Sequence, residues 1–229
     1  MKKTKIRNTI TALCMATALS AMPMKTAVAD DNDRQGGDGR DISELAIMWW
    51  QHTMSIPSSV NPLTDETGQF CSVAQRGDVW FLHGSTGNTL GDPIVRHCTV
   101  PAGKQIFLPF INWLCVPFPN ETVQQNVGFC KDANDLTDLM SLTIDGNSRD
   151  RHIARMAQKK AFDLTVPVDN VFGWPSGTFT AVHDGYFALL PKLSLGEHEI
   201  HIQGGVSGWD FFVDVIYHID VVKPGPMPE

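Results

Sequence analysis

The chain has little of what most catalytic and nucleic-acid-binding sites are built from. It contains no GxSxG, so no serine occupies the strained strand-to-helix elbow of an α/β-hydrolase. It contains no CxxC, the spacing from which thiolate zinc sites and dithiol redox centres are usually made. Basic residues are outnumbered, 18 Lys and Arg against 25 Asp and Glu, which argues against partners with phosphate backbones or anionic membrane surfaces. After residue 29 no apolar run approaches the roughly 20 residues that a membrane-crossing helix requires. No internal repeat is visible.

What is present begins with three features of a secretory signal. Lys2, Lys3, Lys5 and Arg7 precede an apolar run from about Ile10 to Met24, and Ala27-Val28-Ala29 precedes an acidic stretch. Segment 1–29 is therefore expected to be removed on export to the periplasm or beyond. Its loss takes away five basic residues (the four above and Lys25) and no acid, moving the formal net charge from −7 to −12. Cys14 lies inside the apolar run after Leu13, a poor context for lipid attachment, and would leave with the signal. Cys71, Cys98, Cys115 and Cys130 remain, an even number that suits two disulfides in an exported chain. Pairing Cys71 with Cys98 and Cys115 with Cys130 brackets two compact segments and is the expected connectivity.

Residues 30–41, DDNDRQGGDGRD, are acidic and glycine-rich, the composition of a flexible leader. They do not form a calcium loop: counting twelve from Asp31 reaches Ile42, where an EF-hand needs glutamate. From Asp41 to about Ser55 the spacing of Ile42, Leu45, Trp49, His52 and Ile56 predicts a helix, with Asp41 and Glu44 spaced as a capping box and Pro57 as the stop. Trp49 and Trp50, about 100° apart on a helix, are expected to have one ring packed.

Beyond the helix, short apolar or alternating runs are separated by Gly, Pro, Asn and Asp. They are VWFL (79–82), IVRHCTV (94–100), QIFLPFI (105–111), SLTID (141–145), FDLTV (162–166), TFTAV (178–182), YFALL (186–190), HEIHI (198–202) and FFVDVIYHIDVV (211–222). PAGK, DGN, HDG and LSLGE read as turns between them. The expectation is a single all-β domain over 42–229, an antiparallel β-sandwich of jelly-roll or immunoglobulin-like type, with an N-terminal helix and short helical insertions within 120–139 and 148–160.

Residues 196–203, GEHEIHIQ, place two histidines near two carboxylates. They are not the zinc-protease motif, because HEIH is one residue shorter than HExxH and alternation marks a strand. Ile200 and Ile202 then face inward with His198, while Glu197, Glu199, His201 and Gln203 face outward. In 211–222 the odd-numbered residues face inward and Asp214, His218 and Asp220 outward. A hairpin of these two runs can oppose His201 to Asp214, Glu197 to His218 and His198 to Tyr217, which already gives the polar face a structural purpose.

The stretches WWQHTMSIP (49–57), NPLTDETGQFC (61–71), VWFLHG (79–84), CTVPAGKQIFLPFIN (98–112) and DGYFALLPKLSLGEHEIHIQGG (184–205) resemble a family of exported bacterial proteins of unassigned function. The resemblance covers most of the chain after the signal. It implies export and an all-β fold, and it brings no activity, cofactor or site with it.

Candidate site residues come from loops. Trp174 and Trp209 lie in glycine-rich loops where a ring can stack on a sugar. With strands alternating in direction from 162 onward, these two fall at opposite ends, and Trp209 shares its end with His183-Asp184-Gly185. His183, Asp184 and Trp209 thus form the leading candidate cluster, with Asn112 and Trp113, held next to Cys115, as a second. Arg149, Arg151, Arg155, Lys159 and Lys160 read as a solvated basic face. Function is expected to be non-catalytic binding of a carbohydrate, an envelope component or a partner protein, with no cofactor. The alternatives are a hydrolase or lyase that uses carboxylates such as Asp163, Asp184, Glu197 or Glu199 with histidine, and a divalent-metal protein using His201, Asp214 and Glu199.

Overall fold

The structure, a computed structural model, describes residues 41–158 and 160–223. The signal segment 1–29 and all of the leader but Asp41 lie outside the described residues. Asp41 caps helix α1 (Ile42–Ser55) by accepting the Ser43 N–H at 2.9 Å. The helix buries Ile42, Leu45, Ala46, Trp49, Trp50 and Met54. Both tryptophans are packed rather than one, at 1% and 4% exposure, with their rings meeting edge to face at 5.0 Å.

Among the described residues ten strands follow: β1 (Val79–Phe81), β2 (Ile94–Pro101), β3 (Gln105–Cys115), β4 (Leu139–Ile144), β5 (Asn147–Ser148), β6 (Ile153–Ala157), β7 (Phe162–Val166), β8 (Gly177–Leu190), β9 (Gly196–Val206) and β10 (Phe211–Val222). A second helix, α2 (Val123–Asn134), sits between β3 and β4 and starts at a Thr122/Gln125 capping box. The first sheet has the order β1-β3-β8-β6 with β7 also pairing β8, and the second has the order β2-β10-β9-β4-β5. The all-β expectation holds, but the sheets are mixed rather than purely antiparallel. β1 runs parallel to β3, and β2 runs parallel to β10.

The layers explain the two kinds of sequence run. One core lies between the sheets, formed by residues such as Leu82, Leu108, Phe110, Leu190, Ile202, Val215 and Tyr217. A second core lies between the first sheet and α1, with Trp49, Phe81, Phe107, Phe187 and Leu189. The first sheet is therefore covered on both faces, and β3 is buried without a break from Gln105 to Ile111. The second sheet is covered on one face, so β2, β9 and β10 alternate.

The segment His183-Asp184-Gly185, read above as a turn, lies in the middle of β8. Gly185 is there because a backbone crosses closely: the register of β3 against β8 shifts between Pro109 and Asn112, and a Cβ on Gly185 would fall 2.3 Å from the Cβ of Asn112. The hairpin of β9 and β10 has the expected faces but sits two residues from the expected register. Asp214 lies opposite Gln203, and His201 opposite Ile216.

Two disulfides, Cys71–Cys98 and Cys115–Cys130, join the pairs expected. The first ties the loop after α1 to β2, and the second ties the end of β3 to α2. In that loop Gly68, at φ +91°, lies against β2 so closely that a Cβ would fall 2.4 Å from the His97 carbonyl oxygen.

Arg96 of β2 points into the interior at 1% exposure. Its guanidinium donates to the carbonyls of Asp65, His83 and Gly84 and, at 2.6 Å, to the Tyr217 hydroxyl. Tyr217 in turn donates to the His83 carbonyl at 2.6 Å and accepts the His83 N–H at 3.1 Å. One buried cation thus satisfies backbone groups from two loops and fastens them to β10. An Arg96→Leu variant leaves the Asp65 and Gly84 carbonyls buried without their donor, while His83 keeps the Tyr217 hydroxyl, and urea denaturation should show a loss of about 3 kcal/mol of stability.

Candidate functional site

The β9–β10 connection is one turn of 3-10 helix, Ser207–Trp209, closed by Asp210 in the left-handed region at φ +51°. Asp138 pins it, accepting from Ser207 N–H at 3.0 Å and Ser207 Oγ at 3.1 Å. The turn holds Trp209 out at 52% exposure with its ring edge-on to Trp113, centroids 5.4 Å apart. Trp113 also contacts Phe211 at 5.8 Å. These three rings bridge the sheets at one end, since Trp113 belongs to β3 and Phe211 to β10.

Phe211 leads on to a groove. Gly87, at φ +108°, approaches it so closely that a Cβ would lie 3.0 Å from the Phe211 ring. Gly87 also lines a polar groove of about 630 Å³, with Thr64, Glu66, Thr86, Asn88 and Asp92 among its walls and Arg96 among its lining. The groove wall is fixed by Asn88. Its N–H donates to the Phe212 carbonyl at 2.8 Å, its Oδ1 accepts the Asp214 N–H at 3.0 Å, and its Nδ2 donates to the Asp214 carbonyl at 2.9 Å.

The Asp214 carboxylate completes that anchorage. It accepts from the Gly91 N–H at 2.8 Å, from His201 Nε2 at 2.6 Å and from Gln203 Nε2 at 3.1 Å, and it is 1% exposed. Burial raises its pKa, but these hydrogen bonds outweigh burial and hold it below the ordinary carboxylate value. The trio His201, Asp214 and Glu199 does not converge on one point: Asp214 is saturated by protein donors, and Glu199 faces His218, with Oε2 3.9 Å from its Nδ1.

The remaining candidates separate. His183 and Asp184 are successive strand residues and point to opposite faces of the first sheet. Asp184, 2% exposed, accepts two hydrogen bonds from Arg155, at 2.8 and 2.9 Å, and one from Asn134 at 2.8 Å. Arg155 also reaches Asp135 at 2.6 Å, so it is a fork tying β6 to β8 and α2 rather than part of a solvated basic face. Asp184 is the cross-strand partner of Trp113, which in turn carries Trp209; His183 does not join them. Asn112 sits at the register shift of β3, half-buried. Trp174 packs half-buried between Phe172 and Phe179.

The participation of Phe211 and the 85–92 loop was missed from sequence, although STGNTLGD (85–92) has the composition of a functional loop.

His183 is enclosed by Phe162 and Phe187, and neither ring nitrogen has a hydrogen-bond partner among the described residues. Burial pushes its pKa from 6.5 down to about 4. His52 is lowered to about 4 by burial and then by Arg76, and His83, which shares a hydrogen bond with Thr53 Oγ1 at 3.1 Å, is lowered by burial and then by His52 and Arg96. His83 and His183 are neutral histidines of the core, and His52 is half-buried at its edge. Because the folded value lies below the unfolded one, their effect is nil above pH 6.5, and stability falls as pH drops from 6.5 towards 4. His183 alone should remove about 3 kcal/mol by pH 4. A His183→Leu variant should match or exceed the parent at pH 7 and show a flatter stability profile between pH 6.5 and 4 in urea titrations.

Comparison with models of known families, with curated proteins and with solved structures finds no match for the chain in any of the three.

Proposed function

We propose that the protein is a non-catalytic carbohydrate-binding module that acts after export. The observation that carries this reading is Trp209, half-exposed and braced edge-on by Trp113, with Phe211 leading from it to the polar groove. A sugar ring presents an apolar face to an aromatic ring and hydroxyls at its rim, so an exposed indole linked through Trp113 and Phe211 to a groove of hydroxyl, amide and carboxylate side chains offers both kinds of contact. A braced ring also loses little side-chain entropy on binding.

Support for export comes from the N-terminal charged, apolar and small-residue pattern, from the two disulfides, and from the resemblance to exported bacterial proteins. Among the described residues no helix is long and apolar enough to cross a membrane. A hydrolase or lyase would require titratable groups that converge in the groove. His83 and His183, whose pKa values burial lowers, are instead sealed in the interior, which favours binding over catalysis.

The test is retention of the purified chain on insoluble polysaccharides and peptidoglycan, followed by affinity measurement on the best soluble fragment. Trp209→Ala should weaken binding by roughly tenfold or more, about 1.4 kcal/mol, while leaving the melting temperature nearly unchanged, because the ring is exposed. Full affinity in Trp209→Ala, or no retention of the parent on any of these polymers, would contradict the proposal.

A further inference from the structure

The outer face of the second sheet holds a second group of side chains, away from the aromatic end. β2, β10 and β9 lie side by side there. His97 is the register partner of His218, and His218 is the partner of Glu199, so the three project from one row. Thr99, Asp220 and Glu197 form the next row in the same way. All six are exposed. The two imidazoles are stacked, centroids 4.9 Å apart and planes 26° apart, and Glu199 flanks His218 on the other side, 3.9 Å from Nδ1. A groove of about 510 Å³ runs over these rows, with His198 and Asp145, joined at 2.8 Å, in its wall.

The arrangement carries an electrostatic cost. Asp220 and Glu197 are direct cross-strand neighbours, and like charges in that position repel. Neither has an ion-pair partner among the described residues, and Asp145 is already engaged by His198. Among the described residues no lysine or arginine lines the groove, and Arg149, from outside it, acts on Asp145. Two imidazoles beside this uncompensated negative charge are the ligand chemistry of a divalent ion of intermediate softness rather than of calcium or magnesium, which prefer all-oxygen shells. Neighbouring strands lie about 4.8 Å apart, so side chains in one row can close on an ion with bonds of about 2.0–2.2 Å by rotating about their side-chain torsions. No three such groups among the described residues already converge, so that rotation is a necessary step, and exposed side chains are free to make it.

We propose that His97 and His218, with Glu199, form a binding site for a divalent transition-metal ion such as Zn²⁺, and that Asp220 and Glu197 favour the ion electrostatically from the adjoining row. The site is separate from the Trp209 platform and does not depend on the carbohydrate reading.

Calorimetric titration of the chelator-stripped chain with Zn²⁺ should show one equivalent bound, and a thermal melt should shift upward in its presence. His97→Gln and His218→Gln should each weaken binding by roughly tenfold or more, and the double variant should lose the thermal shift. His201→Gln, whose ring is engaged with Asp214, should leave Zn²⁺ affinity unchanged. Glu197→Gln should weaken the ion and raise the melting temperature of the metal-free chain, which gives a readout independent of the histidines. Undiminished binding in the His97/His218 double variant, or no binding at millimolar Zn²⁺, would overturn the proposal.

Discussion

The rest of the structure depends on a buried positive charge. Arg96 is held in the interior by carbonyl groups and the Tyr217 hydroxyl, with its guanidinium 5.5 Å from the Tyr217 ring centroid. An ion in a medium of low dielectric is stable only where fixed dipoles replace water, and here those dipoles are backbone carbonyls of loops that have no ladder of their own. The cation and the loops therefore order each other. Asp65 is part of the same construction, since its carboxylate caps the loop by accepting from Thr67 and Phe70 while its carbonyl accepts from Arg96. The polar groove takes its shape from this arrangement, because the segments around residues 63–66 and 84–96 form its walls.

A second constraint is the double covering of the first sheet. With α1 on one side and the second sheet on the other, β3 from Gln105 to Ile111 and β8 from Ala181 to Leu190 have almost no face for water, and their polar residues must be satisfied internally. Asp184 meets this demand through Arg155 and Asn134. His183 does not, and it persists as a neutral ring among aromatics. The polar face left to the solvent belongs to the second sheet, and that is where exposed histidines and carboxylates accumulate.

How much of this was legible from the residues follows the range of the interactions concerned. β10 and β7 were read to the residue, and α1 to within one, because alternation, helical spacing and a capping aspartate are local signals. The faces of the last hairpin were legible for the same reason. Its register was not, because alternation fixes only which face a residue takes, while the Ser207–Asp210 turn decides which residues meet. His183-Asp184-Gly185 carries the chemistry of a turn, and only the bulge on the partner strand shows why a glycine is needed mid-strand. The parallel pairing of β2 with β10 has no local signature, and without it neither the site of Arg96 nor the stacking of His97 on His218 can be foreseen. Of the candidate residues, Trp209 and Trp113 proved to be in contact, whereas His183 and Asp184 were divided by the pleat of their own strand.

The pairing of β2 with β10 also sets a timetable for folding. Arg96 and its partner Tyr217 are 121 residues apart in sequence, and β10 is the strand that joins β2 to β9. Closing so long a loop costs entropy before any contact returns it, so β4, β5 and β9 can pair as the chain lengthens but β2 cannot join them. A growing polypeptide would carry the Arg96 cation and the loops it organises in an open, hydrated state until residues 211–222 arrive, and only then could the central layer be roofed over.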